Sequence, residues 1–224
     1  MEQLAALMSN VDWYDLSWAT GETLVMLGGS LLFTLVFGLP LGIILFLTGP
    51  KQLFENKPLY AVLSLVTNIL RSLPFIILII VMIPLTVMLV GTSLGVWGAI
   101  PPLVVGATPF FARLVETALR EVDRGIIEAT QAMGATTRQI ILHALLPEAR
   151  PGIIAAITVT AITLVSYTAM AGVVGAGGLG DLAIRFGYQR FQTDVMVITV
   201  VLLLLLVQLI QTLGDRLVVR YSRR

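Results

Sequence analysis

The sequence predicts an all-α integral membrane protein: five transmembrane helices with a cytoplasmic helix-turn-helix, the N-terminus outside and the C-terminus inside. Three observations predict it. Of the 224 residues, 57% are hydrophobic and only 12% charged; the uncharged residues fall into a few long runs; and the basic residues gather on one side of the spans those runs define. An ordinary soluble domain carries roughly a quarter charged residues, so this chain has too little polar surface for a soluble enzyme or carrier.

The runs set the spans. Residues 23–50 are uncharged for 28 positions, 72–112 for 41, 151–180 for 30 and 195–214 for 20. A helix needs about 20 apolar residues to cross the hydrocarbon core, so each run suffices and the second is about two crossings long. Its middle, Gly91-Thr92-Ser93-Leu94-Gly95-Val96-Trp97-Gly98 followed by Pro101-Pro102, is rich in turn formers and holds an interfacial Trp, which makes the run a hairpin. The expected spans are 22–47, 69–90, 99–119, 152–175 and 194–214. They leave an outer N-terminal segment 1–21, an inner segment 120–150, an outer loop 176–193 and a basic tail 215–224.

Charge orients them. Residues 1–22 contain four acidic residues and no Lys or Arg, unlike the basic start of a secretory signal peptide, so the first span is expected to be retained. With the N-terminus outside, the inner loops and flanks hold Lys51, Lys57, Arg71, Arg113, Arg120, Arg124, Arg138, Arg150, Arg216, Arg220, Arg223 and Arg224, against Arg185 and Arg190 outside. The positive-inside rule then places the C-terminus in the cytoplasm. The net charge of +1 gives no reason to expect nucleic acid, and the absence of cysteine removes both a disulfide framework and a cysteine metal site.

The inner segment reads as two short helices. Asp123 is an N-cap for a helix over 125–133, and Gly134 supplies the left-handed residue that ends it. Thr136 with Gln139 forms a capping box for a second helix, Ile140, Ile141, Ala144 and Leu145 follow at helical spacing, and Pro147 is expected to stop it. Such a pair can either lie on the membrane surface or form a protruding joint.

Particular residues favour the joint. Glu128-Ala129-Thr130, Gly134 and Leu146-Pro147 resemble the signature of ABC importer permeases: E-A-A, three residues, G, nine residues, I, one residue, L-P. Spacing agrees throughout, with Thr130 in place of the second Ala and Ala144 in place of the Ile. Arg71-Ser72-Leu73-Pro74-Phe75-Ile76, Ala132-Met133-Gly134-Ala135-Thr136, Leu146-Pro147-Glu148-Ala149, and Tyr167-Thr168-Ala169-Met170 leading into Gly175-Ala176-Gly177-Gly178-Leu179-Gly180 extend the likeness over most of the chain. Together they look like the permease of the methionine-uptake ABC transporter family.

The resemblance implies a non-catalytic subunit of the bacterial cytoplasmic (inner) membrane, acting as a homodimer with two ATP-binding subunits and an outer substrate-binding protein. The chain has no G-x-x-x-x-G-K-[ST] loop, so ATP and magnesium belong to the partner. It also implies that Glu128, Ala129, Thr130, Ala132, Met133, Gly134, Leu146 and Pro147 couple the chain to the ATPase, and that the fourth span lines the pathway. Met170, among small residues of that span, is either a hydrophobic gate at the dimer axis or packing filler. Ala155, Ala156, Thr160, Ala161 and Gly172 would let helices approach closely.

Other residues read more simply. Gly175, Gly177 and Gly180 satisfy G-x-G-x-x-G, but a dinucleotide site requires that motif between strand and helix; with Gly178 they are expected to make a flexible outer reversal. His143, the only histidine, has no partners for a metal site and belongs on the inner surface. Arg71 snorkels at the inner end of a span. Arg113, Glu116 and Arg120 are expected to form an ion pair on a helix surface.

A passive channel would need a selectivity filter or charged ring, and an intramembrane enzyme a catalytic constellation in the spans; neither pattern is present. Walls of Ile, Val, Leu, Ala, Thr and Met disfavour phosphonates, metal ions and sulfate as cargo. They tolerate a zwitterionic amino acid or another small solute such as glycine betaine, and only the family resemblance narrows the choice to methionine.

Overall fold

The computed structural model describes residues 12–222, and among these it contains helices and no strand. The helices are α1 Trp13–Thr48, α2 Lys57–Ser72, α3 Phe75–Val81, α4 Ile83–Val90, α5 Gly95–Arg120, α6 Arg124–Ala132, α7 Thr137–Gln139, α8 Leu146–Glu148, α9 Arg150–Val173, α10 Gly178–Leu182 and α11 Thr193–Tyr221. Wider π-helical turns fill Ile140–Leu145 and Ala183–Tyr188. Four helices, α1, α5, α9 and α11, are long and apolar enough to cross a membrane; α2 with α3, which meet at a break, make a fifth if counted together.

Helix ends follow local chemistry. α1 begins well before the expected residue 22, because the Asp12 carboxylate accepts the Tyr14 amide at 2.8 Å and caps the first turn. The outer segment expected over 1–21 is therefore helical from Trp13 onward, and its residues before 12 lie outside the described ones. α11 runs on to Tyr221, through most of the stretch expected as a tail, of which 223–224 lie outside the described residues.

The stretch expected as one span over 69–90 is three pieces: the last turn of α2, then α3, then α4. Pro74 disfavours helical geometry at Leu73 and cannot donate to the preceding turn, so it stands as the extended residue before α3, with φ −57° and ψ 131°. Pro84 opens α4 and separates it from α3 at Met82. Gly91, at φ +79°, closes α4 in the left-handed conformation.

The chain divides into two compact units whose boundaries fall inside α1, α5, α9 and α11 and at the break between α2 and α3: Met1–Phe33 with Leu73–Gly106 and Ala161–Ile210, and Thr34–Ser72 with Ala107–Thr160 and Gln211–Arg224. In the second unit one apolar core joins Phe46 and Leu47 of α1, Phe111, Val115 and Leu119 of α5, Val122, Ile127 of α6, and Ile140 and Leu145 of the wide turn. Lipid is as apolar as these side chains, so close packing has to hold the helices together. Gly42 supplies it: a Cβ there would stand 2.7 Å from the Ala112 carbonyl and from Val115.

In the first unit Phe75 stacks on Tyr167 at 4.3 Å with planes 3° apart. Leu16 and Ala19 pack with Leu179, Leu182 and Val195. Of the small residues singled out in α9, Ala156, Thr160, Ala161 and Gly172 are buried in their units, whereas Ala155 is exposed.

Candidate coupling segment and outer turn

The inner reversal is held by hydrogen bonds at each junction. The Asp123 side chain accepts the Gly125 amide at 2.8 Å and starts α6. At its end the Gly134 amide donates to the Gln131 carbonyl at 2.9 Å and the Ala135 amide to that of Thr130 at 3.1 Å, the paired closure of a Schellman motif. Gly134 sits at φ +80°, and no heavy atom lies within 4 Å of where its Cβ would be. Glycine is thus required there by backbone conformation and not by crowding. The Thr136 amide then donates to Gln139 Oε1 at 2.8 Å and the Thr136 hydroxyl accepts the Gln139 amide, completing the capping box.

What α6 presents follows from what it buries. Ile127 enters the core and Ile126 packs against it, while Glu128, Ala129, Ala132, Met133 and Gly134 are exposed and Thr130 is half-buried, its hydroxyl donating to the Ile126 and Ile127 carbonyls at 2.8 and 2.9 Å. A helix lying on the membrane needs an apolar face for the lipid, and here that face is spent on the chain's own core. The exposed face is small-residued and carries one carboxylate, Glu128, that no cation bridges among the described residues. Leu146 packs at the edge of the same core. Pro147 does not stop the helix: in the first turn of α8 its missing N–H costs nothing, and the chain passes into α9 after Ala149. His143 is exposed in the wide turn, and the described residues contain no group of three metal-ligating side chains.

The outer turn is pinned. Gly175, Gly177 and Gly178 all adopt positive φ. The Gly178 amide donates to Glu22 Oε2 at 2.7 Å, the Leu179 amide to Thr23 Oγ1 at 2.9 Å, and the Gly95 amide to the Gly175 carbonyl at 2.9 Å. Gly180 is a packing glycine, since a Cβ there would meet the Ala169 carbonyl. The segment expected to supply flexibility thus uses its glycines to make a defined turn fastened to α1. Met170 is 45% exposed, and with Ser166 and Val173 it leaves an open stripe on α9.

The ion pair expected on a helix surface is buried at its centre. Glu116 is not on a solvated helix surface but 3% exposed, and besides Arg113 and Arg120 it binds Tyr60 of α2. Sequence spacing signals the partners on one helix and is silent about the one on another. Arg71 is exposed in the last turn of α2, its guanidinium 5.8 Å from the centre of the Phe110 ring.

A family model described as "Binding-protein-dependent transport system inner membrane component" matches residues 38–224. The chain belongs to that family. Members are inner-membrane components of importers, so this permease is a multi-pass membrane subunit, and hydrolysis of ATP belongs to a separate subunit. Its relatives include the methionine import system permease protein MetP of Bacillus subtilis, 52% identical over 206 residues that cover 92% of this chain and 93% of the relative. The D-methionine transport system permease protein MetI of Escherichia coli is 54% identical over 151 residues, 67% of this chain and 70% of the relative. Among solved structures, a permease chain of the inward-facing MetNI methionine ABC transporter superposes with a TM-score of 0.93 at 51% identity, over 94% of this chain and 98% of the other. An amino acid ABC transporter solved with histidines shares the fold alone, with a TM-score of 0.75 at 17% identity.

Proposed function

We propose that this permease is the membrane subunit of an ATP-driven methionine importer, two copies of it forming the pathway, with two ATP-binding subunits inside and a substrate-binding protein outside. The observation that carries the reading is the agreement of fold and sequence together along nearly the whole chain with a methionine transporter's permease, 0.93 in TM-score and 51% in identity. The chain's orientation in this reading has the N-terminus outside and the C-terminus inside, supported by the basic residues on the inner side.

The mechanism follows from the inner reversal. α6 seats in a groove on the ATPase, where Ala129 and Ala132 allow close approach and Glu128 meets a basic group. Thr130, Met133, Gly134, Leu146 and Pro147 shape and anchor that joint. ATP, with magnesium, binds the partner subunit, and closure of the partner moves α6. On the outer side Met170, exposed in the single chain, projects toward the second copy as part of a hydrophobic gate. Gly175, Gly177, Gly178 and Gly180 hold the turn behind it in place. Lipid surrounds the remaining apolar faces.

The test is complementation of cells lacking other methionine systems, with labelled methionine competed against glycine betaine and a polar amino acid. Restored methionine uptake, competed by neither, is expected. Restoration of another solute in its place would overturn the substrate and leave the permease.

A further inference from the structure

Glu116 is a buried carboxylate with both oxygens hydrogen-bonded. Its Oε2 receives Arg113 Nη1 at 2.6 Å; its Oε1 receives Arg120 Nη2 at 2.7 Å, Arg120 Nε at 3.2 Å and the Tyr60 hydroxyl at 3.1 Å. Arg113 is itself shared between helices. Its Nη2 donates to the Ser64 carbonyl at 3.2 Å, to the Ser64 hydroxyl, and to Asn68 Oδ1 at 3.2 Å. Arg120 Nη2 also donates to the Tyr60 hydroxyl at 3.3 Å. Tyr60, Ser64 and Asn68 are four residues apart and form one stripe of α2, while Arg113, Glu116 and Arg120 form one stripe of α5. About two turns of each helix are therefore joined by these polar contacts.

The opposite side of α5 does different work. Phe111, Val115 and Leu119, continued by Val122 beyond the helix end, pack in the core that also holds Ile127 of α6 and Ile140 and Leu145 of the wide turn. At about 100° per residue the polar and apolar stripes of α5 lie roughly 140° apart. α5 is thus gripped on one face by the inner reversal and on the other by α2. A third tie, from Arg124 Nη2 to the Lys51 carbonyl at 2.7 Å, joins the start of α6 to the loop that leads into α2.

We propose that Glu116 is the clasp that makes α2 move with the inner reversal: a positioning residue of transport that touches neither solute nor nucleotide. An apolar seam between α2 and α5 would rest on packing alone, since lipid is as apolar as its side chains, and would penalise a change of register less than a charged one does. A buried carboxylate with both oxygens bonded, facing an Arg113 whose Nη1 and Nη2 both find partners, fixes one register of the two helices, and a slip leaves a charge uncompensated away from water. Displacement of α6 by a partner subunit then reaches α2 without loss. The clasp rests on the importer function proposed above, and its test is arranged to fail separately.

The chain contains no cysteine, so spin labels can be placed at will. Labels at Lys57→Cys on α2 and Arg138→Cys on α7, both exposed positions, report the distance across the clasp in the assembled complex with and without trapped ATP. With two copies in the complex several distances arise, and the one within each chain is expected to be narrow and unchanged. A within-chain distance that shifts between the two states in the otherwise unsubstituted complex overturns the proposal.

The second readout is the ratio of methionine taken up to ATP hydrolysed in proteoliposomes. Tyr60→Phe/Ser64→Ala/Asn68→Ala removes the side-chain partners that α2 contributes to the clasp, keeps the Ser64 carbonyl contact, and leaves the α5 ion pairs whole. Uptake per ATP should fall about tenfold while hydrolysis stays within about twofold, and Tyr60→Phe alone, the milder variant, which removes the hydroxyl bonded to Glu116 and Arg120, should give a smaller fall of about fivefold. Parallel loss of uptake and hydrolysis, or an unchanged ratio, overturns the clasp. The ratio is read against an unsubstituted complex that takes up methionine; absence of uptake there counts against the proposed function alone.

Discussion

Substitutions at Gly134 separate conformation from crowding. A Cβ at this position meets nothing within 4 Å, so space is not the constraint, but φ is +80°. A non-glycine residue held in such a region costs about 1–3 kcal/mol, least for Asn, whose side chain bonds locally, and most for a β-branched residue. The two hydrogen bonds that close the reversal, from the Gly134 and Ala135 amides, contribute about 1 kcal/mol each. Strain at the upper end of that range outweighs them and opens the reversal, whereas strain at the lower end does not. Uptake should therefore fall in the order Gly, Asn, Ala, Val, with Gly134→Val inactive although present in the membrane at normal amount. A steric constraint would reverse Asn and Ala, since Asn is the larger. The assay is labelled methionine uptake normalised to permease in isolated membranes. Normal ATP-dependent uptake by Gly134→Val, or Ala outperforming Asn, would refute the reasoning.

Other substitutions probe separate parts. Glu128→Lys reverses the one carboxylate on the exposed face of α6 and should abolish uptake without loss of membrane protein; co-purification with the ATPase should weaken in parallel. Met170→Ala should leave assembly intact and raise basal ATP hydrolysis or solute leak, and a variant with neither change would make Met170 filler. Gly214 packs directly on Thr158, whose hydroxyl and methyl a Cβ would strike. Gly214→Ala should thus destabilise the detergent-solubilised protein by about 1–3 kcal/mol, read as a lowered aggregation temperature, and adding Thr158→Ala should partly restore it.

The parts legible in the sequence are those set by local chemistry. Asp123, Gly134 and the Thr136–Gln139 pair determine their own neighbourhood within a few residues, and the structure has the cap, the left-handed residue and the capping box in those places. Uncharged runs likewise reveal where apolar helices are, because burial in lipid acts on composition. They do not reveal where such a helix is broken: the run after Arg71 contains α3 and α4 as separate pieces, for which Pro74 and Pro84 were the available signals.

α2 is hidden in the sequence for a related reason. Its apolar residues Leu59, Val62, Leu65, Val66 and Ile69 are exposed on one stripe, a helical period in a run too short and too polar to read as a span. The site was legible to the same degree. The reversal and its exposed face follow from capping and periodicity, while the burial of Glu116 depends on Tyr60, 56 residues earlier in the chain. Spacing along one helix carries no information about a partner on another.

The most direct measurement of the central claim uses the purified permease reconstituted with its ATP-binding subunit and loaded binding protein in sealed vesicles. Labelled methionine should accumulate against its gradient only when ATP is supplied on the side of the ATPase, and vesicles holding the permease alone should stay tight to it. Equal methionine entry into vesicles without ATP or without the ATPase would mean a passive channel and contradict the account.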